Sequence, residues 1–180
     1  AGPAHPGHWR TEVAVSANGR YIASGAGLRP SAAMGKPTRG NGVMLWDAAT
    51  LRPLTRVHRT DDPTRLEFTP NSDTLAIASN LTAGVRLWSV SGGVWKAPLR
   101  TGGRTVYGLT VTPDGRRLLA GDRKGTLWTF DLAGTQTPRR TDGNKAIFSL
   151  DSSNALVAVG RAEGQLALHR ISDGQKVRDL

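Results

Sequence analysis

The sequence contains no cysteine, which excludes disulfide bonds and thiolate metal sites. Aromatic residues make up only 6% of the chain, which leaves few rings on which nucleic-acid bases could stack. No apolar run approaches the roughly 18 residues that a membrane-spanning helix requires, and no basic start followed by an apolar stretch marks a signal peptide. We therefore expect a cytoplasmic protein.

Positive charge, by contrast, is abundant. The formal net charge is +10, with 24 lysine and arginine residues against 14 aspartate and glutamate residues. Arginine dominates the basic residues and is accompanied by frequent alanine and glycine, a bias that is typical of a GC-rich bacterial genome. Since a surplus of one sign attracts partners of the other, the composition allows either an anion-binding surface or simply a solvated basic surface.

One pattern of two strands joined by a polar turn occurs four times along the chain. The four copies span residues 13–25, 66–78, 109–121 and 147–159. Asn18-Gly19 and Asp114-Gly115 in the turns tolerate positive φ and therefore close tight hairpins. The short alternating runs and the lack of helical periodicity predict β-structure throughout.

A third strand follows each hairpin and carries a distinctive residue at an equivalent position. These residues are Trp46, Trp88, Phe130 and His169, at steps of 42, 42 and 39 residues. A fourth strand follows each time, near residues 54–57, 94–98, 137–140 and 176–180. Four strands in each unit of about 40 residues predict the blades of a β-propeller.

Two short motifs, TPDG at residues 112–115 and LWD at residues 45–47, make the chain similar to the WD-repeat family of β-propellers. The resemblance covers about residues 10–180. It implies an all-β fold of four four-stranded antiparallel blades, at about residues 10–58, 59–100, 101–140 and 141–180. Residues 1–9 are rich in glycine and proline, and we expect them to be disordered or introduced by cloning.

Four blades are fewer than the seven or eight that are common in this family. Terminal blades without neighbours would expose a whole apolar face, which repeat proteins avoid by capping or closure. We therefore expect either that the chain is a piece of a larger propeller, with further blades in the parent chain, or that two chains form a homodimer that completes one ring.

The expected core follows from alternation in the first strands. In the first strands it comprises Val13, Val15, Leu66, Phe68, Leu109, Val111, Ile147 and Ser149. The second strands add Ile22, Leu75, Ile77, Leu118, Leu156 and Val157, and the third strands add Leu45, Leu87, Leu127 and Leu168. Many WD blades also contain a buried hydrogen-bond network of Asp, His, Ser or Thr, and Trp. Here only His58 is well placed for the histidine, and Lys124 replaces the turn acid in the third blade, so we expect blades held mainly by apolar packing. The expected structural residues are Trp46, Trp88, Phe130, His58, Asp114 and Gly115.

The resemblance also implies two faces of loops. The upper face comprises the loops between second and third strands and the connections between blades; the lower face comprises the other two sets of loops. Twelve cationic and five anionic side chains fall on the upper face, against four and six on the lower face. A field of one sign steers anionic partners. The candidate partner-binding residues are Arg29, Lys36, Arg39, Arg59, Arg100, Arg104, Arg123, Lys124, Arg139 and Arg140.

The family resemblance implies a non-catalytic scaffold or sensor domain that docks a protein, and the basic face favours an acidic segment of that protein. Binding of an anionic polymer such as nucleic acid by the same face is the alternative, and a propeller hydrolase is a third hypothesis. Gly35-Lys36 lacks the flanking residues of a phosphate loop, and no HExxH or GxSxG motif is present. We expect no catalytic residue, metal or cofactor.

Overall fold

The computed structural model describes residues 11–26, 42–58, 63–79, 84–134 and 137–180 of the chain. Within these residues the regular structure comprises sixteen β-strands and one short 3₁₀ helix, Ala162–Gly164. The strands form four sheets, each of four consecutive antiparallel strands. The prediction of an all-β chain built from four four-stranded units is confirmed.

The strands follow the sequence pattern closely. Sheet 1 contains β1 (Thr11–Val15), β2 (Tyr21–Ala26), β3 (Gly42–Asp47) and β4 (Pro53–His58). Sheet 2 contains β5 (Pro63–Phe68), β6 (Thr74–Ser79), β7 (Val85–Ser89) and β8 (Val94–Trp95). Sheet 3 contains β9 (Val106–Val111), β10 (Arg117–Asp122), β11 (Leu127–Asp131) and β12 (Arg139–Thr141). Sheet 4 contains β13 (Ile147–Ser152), β14 (Leu156–Arg161), β15 (Leu166–Arg170) and β16 (Lys176–Asp179).

Three of the four hairpins between first and second strands close with the same turn. In sheet 3 the Thr112 hydroxyl donates to Asp114 Oδ1 (2.5 Å) and accepts from the Arg117 backbone N–H (3.0 Å). Gly115 follows with φ +69°, a conformation that favours glycine. The equivalent hydroxyl–carbonyl pairs are Ser16–Asn18 in sheet 1 and Thr69–Asn71 in sheet 2.

The residues at the aromatic position are equivalent in the structure as well. Each lies on the third strand opposite an apolar residue of the second strand; the pairs are Trp46–Ile22, Trp88–Leu75, Phe130–Leu118 and His169–Val157. Trp46 Nε1 donates to Ser24 Oγ (2.8 Å), whereas Trp88 Nε1 is buried without a partner and its ring packs edge-on against Trp95. The two tryptophans at this shared position therefore make different contacts.

The first strands of the sheets lie next to one another. β1 packs against β5, β5 against β9, and β9 against β13, and an apolar core fills the space between each pair of successive sheets. Gly121 permits one of these contacts, since a Cβ there would meet Ile147 Cγ2 at 2.2 Å. The small residue on the second strand thus sets how closely the next sheet approaches.

A single side chain connects three of the sheets. Arg65 on β5 donates from Nη1 to Glu12 Oε1 on β1 (2.7 Å) and from Nη2 to the Phe148 carbonyl oxygen on β13 (2.9 Å). Although β9 separates β5 from β13 in the series, these two strands lie within one side-chain length of each other. Arg65 therefore ties β1 and β13 to β5 through one side chain.

The core prediction is right between successive sheets and wrong on the outer faces of sheets 1 and 4, where the predicted core residues Val13, Val15, Ser149 and Leu156 are exposed. Predicted core residues of β5, β9 and β13 are buried; they are Leu66, Phe68, Leu109, Val111 and Ile147. Val13 and Val15, however, are 62% and 60% exposed, because no described residue covers the outer face of sheet 1. Ser149 is exposed too, and Leu156 and Leu166 are exposed on the outer face of sheet 4. We call these two uncovered faces the seam.

Candidate functional site

The upper face follows from the antiparallel order of each sheet, which puts the second-to-third-strand loops and the connections between sheets at the same end. Its described parts are residues 100–105, 123–126, 142–146 and 162–165. The predicted site residues Arg29, Lys36, Arg39 and Arg59 lie outside the described residues, as does the side chain of His58.

The loop between β10 and β11 is a tight turn held by Asp122. Its Oδ1 accepts hydrogen bonds from the backbone N–H groups of Lys124 (2.8 Å) and Thr126 (2.9 Å). Gly125 has φ +91°, and a Cβ there would meet the Lys145 carbonyl oxygen at 2.5 Å, so glycine is needed at this point. The turn leaves Arg123 and Lys124 exposed at its tip.

A buried polar network lies beneath this turn. Asp122 is fully buried, and its Oδ2 accepts from Trp128 Nε1 (3.1 Å) and Arg104 Nη1 (3.4 Å). Arg104 also donates to Thr126 Oγ1 (2.6 Å), which in turn donates to Asp142 Oδ1 (3.1 Å). Sheet 3 therefore contains a buried hydrogen-bond network that was not expected, beside the apolar core that was. The sequence signal for this network was an Asp at the end of a strand with a Trp six residues later.

The network changes the role of Arg104, which is an internal hydrogen-bond donor with 28% of its side chain exposed. Arg139 is also not on the upper face. It lies in β12 and donates from Nη1 to the carbonyl oxygens of Ile171 (3.0 Å) and Ser172, in the turn between β15 and β16. Its charge thus joins sheet 3 to sheet 4 near the lower face.

Other cations on or next to the upper face bond to neighbouring acceptors. Arg140 forms an ion pair with Asp142 (2.7 Å), whose pKa is lowered chiefly by that hydrogen bond, and Lys145 pairs with Glu163. Arg161 donates to the Gly125 carbonyl oxygen (3.1 Å), and its burial lowers its pKa. These contacts offset part of the positive charge that the composition predicts.

Three exposed cations remain, namely Arg100, Arg123 and Lys124, and we call them the basic patch. Among the described residues, no carboxylate forms an ion pair with any of the three. The two loops that carry them are tied together, because the Arg123 backbone N–H donates to the Thr105 carbonyl oxygen (3.0 Å). Arg104, bonded to Asp122 and Thr126, reinforces the same connection.

Carboxylates of the lower face stabilise the turns through hydrogen bonds. Hydrogen bonds from the Thr50 and Ser91 hydroxyls lower the pKa values of Asp47 and Asp73, and the Thr112 hydroxyl does the same for Asp114. These side chains are therefore ionised turn caps. Beside them, a cleft of about 520 Å³ lies between sheets 2 and 3.

A second cleft, of about 470 Å³, lies between β12 and the pair β15–β16. His169 contributes to its wall, with Nδ1 placed 3.1 Å from the Gly174 carbonyl oxygen and Nε2 buried without a partner. Across the part of the chain that the structure describes, no three His, Asp or Glu side chains are grouped as metal ligands. Nor does any described helix have the length and apolarity needed to span a bilayer.

No protein-family model matches the chain, and no curated protein matches it significantly.

Proposed function

We propose that this chain is a WD-type β-propeller module that binds an acidic segment of a partner protein on its upper face and performs no catalysis. The basic patch carries the proposal. Arg100, Arg123 and Lys124 lie exposed on two adjoining loops and lack carboxylate partners among the described residues, whereas the neighbouring cations are neutralised by Asp142 and Glu163.

The way in which the patch is held supports binding. Asp122 fixes the Arg123–Lys124 turn through backbone hydrogen bonds, and the contact with Thr105 fixes the second loop against it. A loop that is already ordered loses less conformational entropy when a partner docks than a flexible loop does. Complementary charges also accelerate encounter and select partners of the opposite sign.

Nucleic acid is the second candidate ligand for the same surface, since its phosphates would meet the same three charges. Non-specific single-stranded binding combines a basic groove with aromatic side chains on which bases stack. The described upper-face loops contain no aromatic residue. The protein partner is therefore the better supported of the two.

For the architecture, we propose that the four sheets circle one axis and form a four-bladed ring with a seam. The reach of Arg65 from β5 to β13 supports a tight ring, because in a ring of seven or eight blades alternate first strands lie far apart. Two other arrangements would cover the outer face of sheet 1, namely further blades in the parent chain or a second copy of the chain. The exposed Val13 and Val15 support these two arrangements.

The test of function is a binding titration with a fluorescent peptide of about twelve residues rich in Asp and Glu, at roughly 50 mM salt, where charge contacts are weakly screened. The upper-face variant is Arg100→Glu/Arg123→Glu/Lys124→Glu. The matched control on the lower face, Arg20→Glu/Arg52→Glu/Arg116→Glu, reverses the same number of charges.

We expect the upper-face variant to raise the Kd of the peptide by at least about tenfold, while the control changes the Kd by less than about twofold. Equal weakening by both variants would show that only net charge matters, and the proposed site would be rejected. A single-stranded DNA of equal charge that binds more tightly than the peptide would favour the nucleic-acid function.

A further inference from the structure

His169 on β15 carries a hydrogen-bond acceptor that the fold leaves without a donor. Its Nδ1 lies 3.1 Å from the Gly174 carbonyl oxygen. Because a carbonyl oxygen only accepts, Nδ1 carries the proton of the neutral ring and Nε2 keeps its lone pair. Nε2 is buried and has no partner among the described residues, and only 4% of His169 is exposed. Such an atom is rare in a folded protein and calls for a donor from elsewhere.

The ring of His169 lies on the side of sheet 4 that faces the second cleft. His169 is paired with Val157 across β15 and β14, so the two side chains share one side of the sheet. Val157 packs there in the core between sheets 3 and 4. The cleft of about 470 Å³, which we call the His169 cleft, lies on this same side. Its volume is within the range of small-molecule sites.

The charged side chains around the His169 cleft already have bonded partners. Three ion pairs, at 2.7, 2.6 and 2.7 Å, are Arg140–Asp142, Arg170–Asp173 and Lys176–Asp179. Arg161 donates to the Gly125 carbonyl oxygen (3.1 Å). A charged ligand would have to compete with these partners, so the cleft favours a neutral one.

Uncharged polar groups complete the lining of the His169 cleft. The amide side chains of Asn144, Gln165 and Gln175 are exposed there and form no hydrogen bond with a described residue. The Thr141 hydroxyl lies beside the turn that holds the histidine, because a Cβ at Gly174 would meet Thr141 Oγ1 at 2.2 Å. Hydroxyl and amide groups both donate and accept hydrogen bonds.

We propose that the His169 cleft binds a small neutral polyol, such as a sugar, with one ligand hydroxyl donating to His169 Nε2. A ligand built of hydroxyl groups can donate to this nitrogen and also pair with the amides and with Thr141, because each hydroxyl donates and accepts. The site is separate from the basic patch, which would bind anions, so either site can be lost without the other.

Nitrogen-15 NMR of the imidazole rings tests the proposal, at about pH 8, where an ordinary histidine is neutral. The probes are glucose, galactose, mannose and myo-inositol, each added to the full chain up to about 50 mM, which detects Kd values in the millimolar range. We expect at least one probe to move the His169 Nε2 resonance in the direction of hydrogen-bond acceptance, together with the side-chain amide signals of Gln165 and Gln175.

Two variants remove one polar group each from the His169 cleft. His169→Phe introduces the residue that sheet 3 has at the equivalent position, Phe130, and Thr141→Val keeps the branched shape of the side chain without its hydroxyl. Each should raise the Kd, read from the amide signals, by at least about tenfold, because a ligand hydroxyl loses its partner. Trp88→Phe is the control. It removes the other buried nitrogen without a partner, in the core between sheets 1 and 2, and should bind as wild type does.

Several results would overturn the proposal. One is the absence of any shift with all four probes, and another is an Nε2 resonance that already shows a hydrogen bond without ligand. Tighter binding of glucuronate or glucosamine than of glucose would make the site ionic. Tighter binding of the neutral peptide acetyl-Ser-Gly-Ser-amide would assign the cleft to a peptide. Thermal unfolding shows whether each variant is folded, and if His169→Phe is not, an unchanged Kd in Thr141→Val rejects the site.

Discussion

The indole Nε1 of Trp128 donates a hydrogen bond of 3.1 Å to the fully buried carboxylate of Asp122. This bond links the third strand of sheet 3 to the turn that carries Arg123 and Lys124. Because Asp122 also accepts from Arg104 and from two backbone N–H groups, one acid supports both the sheet and the basic patch.

Replacing Asp122 with Ala should lower the free energy of unfolding by about 3 kcal/mol, since several buried donors lose their acceptor at once. Asp179→Ala, which removes an exposed ion-pair partner of Lys176, should cost less than about 1 kcal/mol. Urea denaturation of both variants measures the difference. Equal losses would mean that the Asp122 network adds nothing beyond a surface ion pair.

Stability should fall as pH rises through neutrality because of Glu67. Its folded-state pKa, about 7 because the side chain is partly buried, lies above the ordinary glutamate value of 4.5, so between these values the folded chain binds a proton that the unfolded chain has lost. The free energy of unfolding should therefore decrease by about 1–2 kcal/mol from pH 4.5 to pH 8. This is less than the whole pKa shift would give, because the carboxyl is partly exposed to solvent, which screens its interactions.

Denaturation curves of Glu67→Gln over the same pH range provide the check. The variant should lack this part of the slope and should exceed the wild type in stability at pH 8. A wild-type stability that rises with pH, or an unchanged slope in the variant, would contradict the assignment to Glu67.

The contact between Gly121 and Ile147 should be sensitive to a single methyl group. Gly121→Ala places a Cβ within 2.2 Å of Ile147 Cγ2, and overpacking of this kind costs about 1–3 kcal/mol. Gly134→Ala is the control, because its Cβ would meet nothing within 4 Å and only its φ of +73° opposes the change. Thermal unfolding should show a lower Tm for Gly121→Ala than for the control.

Local signals were sufficient to predict the strands and turns. Asp114-Gly115 specified a hairpin by itself, and alternation specified β5 and β9, because turn chemistry and strand period depend on adjacent residues. The exposure of Val13 could not be predicted in this way. Its burial depends on whether another sheet covers sheet 1, and the sequence of β1 carries no information on that neighbour.

The candidate site depended more heavily on contacts between distant residues. Arg104 reaches Asp122 across 18 positions, and Arg139 reaches Ile171 across 32. Both were predicted as free cations because their loops are polar, and only the packing of the loops revealed their partners. The exposure of Arg123 and Lys124 could be predicted without such contacts, because both residues lie at the tip of a tight turn.

The arrangement of four sheets around one axis is tested most directly by distances between spin labels, which the cysteine-free chain accepts without background. Arg20, Arg116 and Ala155 are exposed positions in the first hairpin turns of sheets 1, 3 and 4. Labels on Arg20→Cys/Ala155→Cys and on Arg20→Cys/Arg116→Cys give the separations of sheet 1 from sheet 4 and from sheet 3. A four-sheet ring predicts that sheet 4 lies closer to sheet 1 than sheet 3 does. A longer distance to sheet 4 would contradict the ring and would make the chain an arc of a larger one.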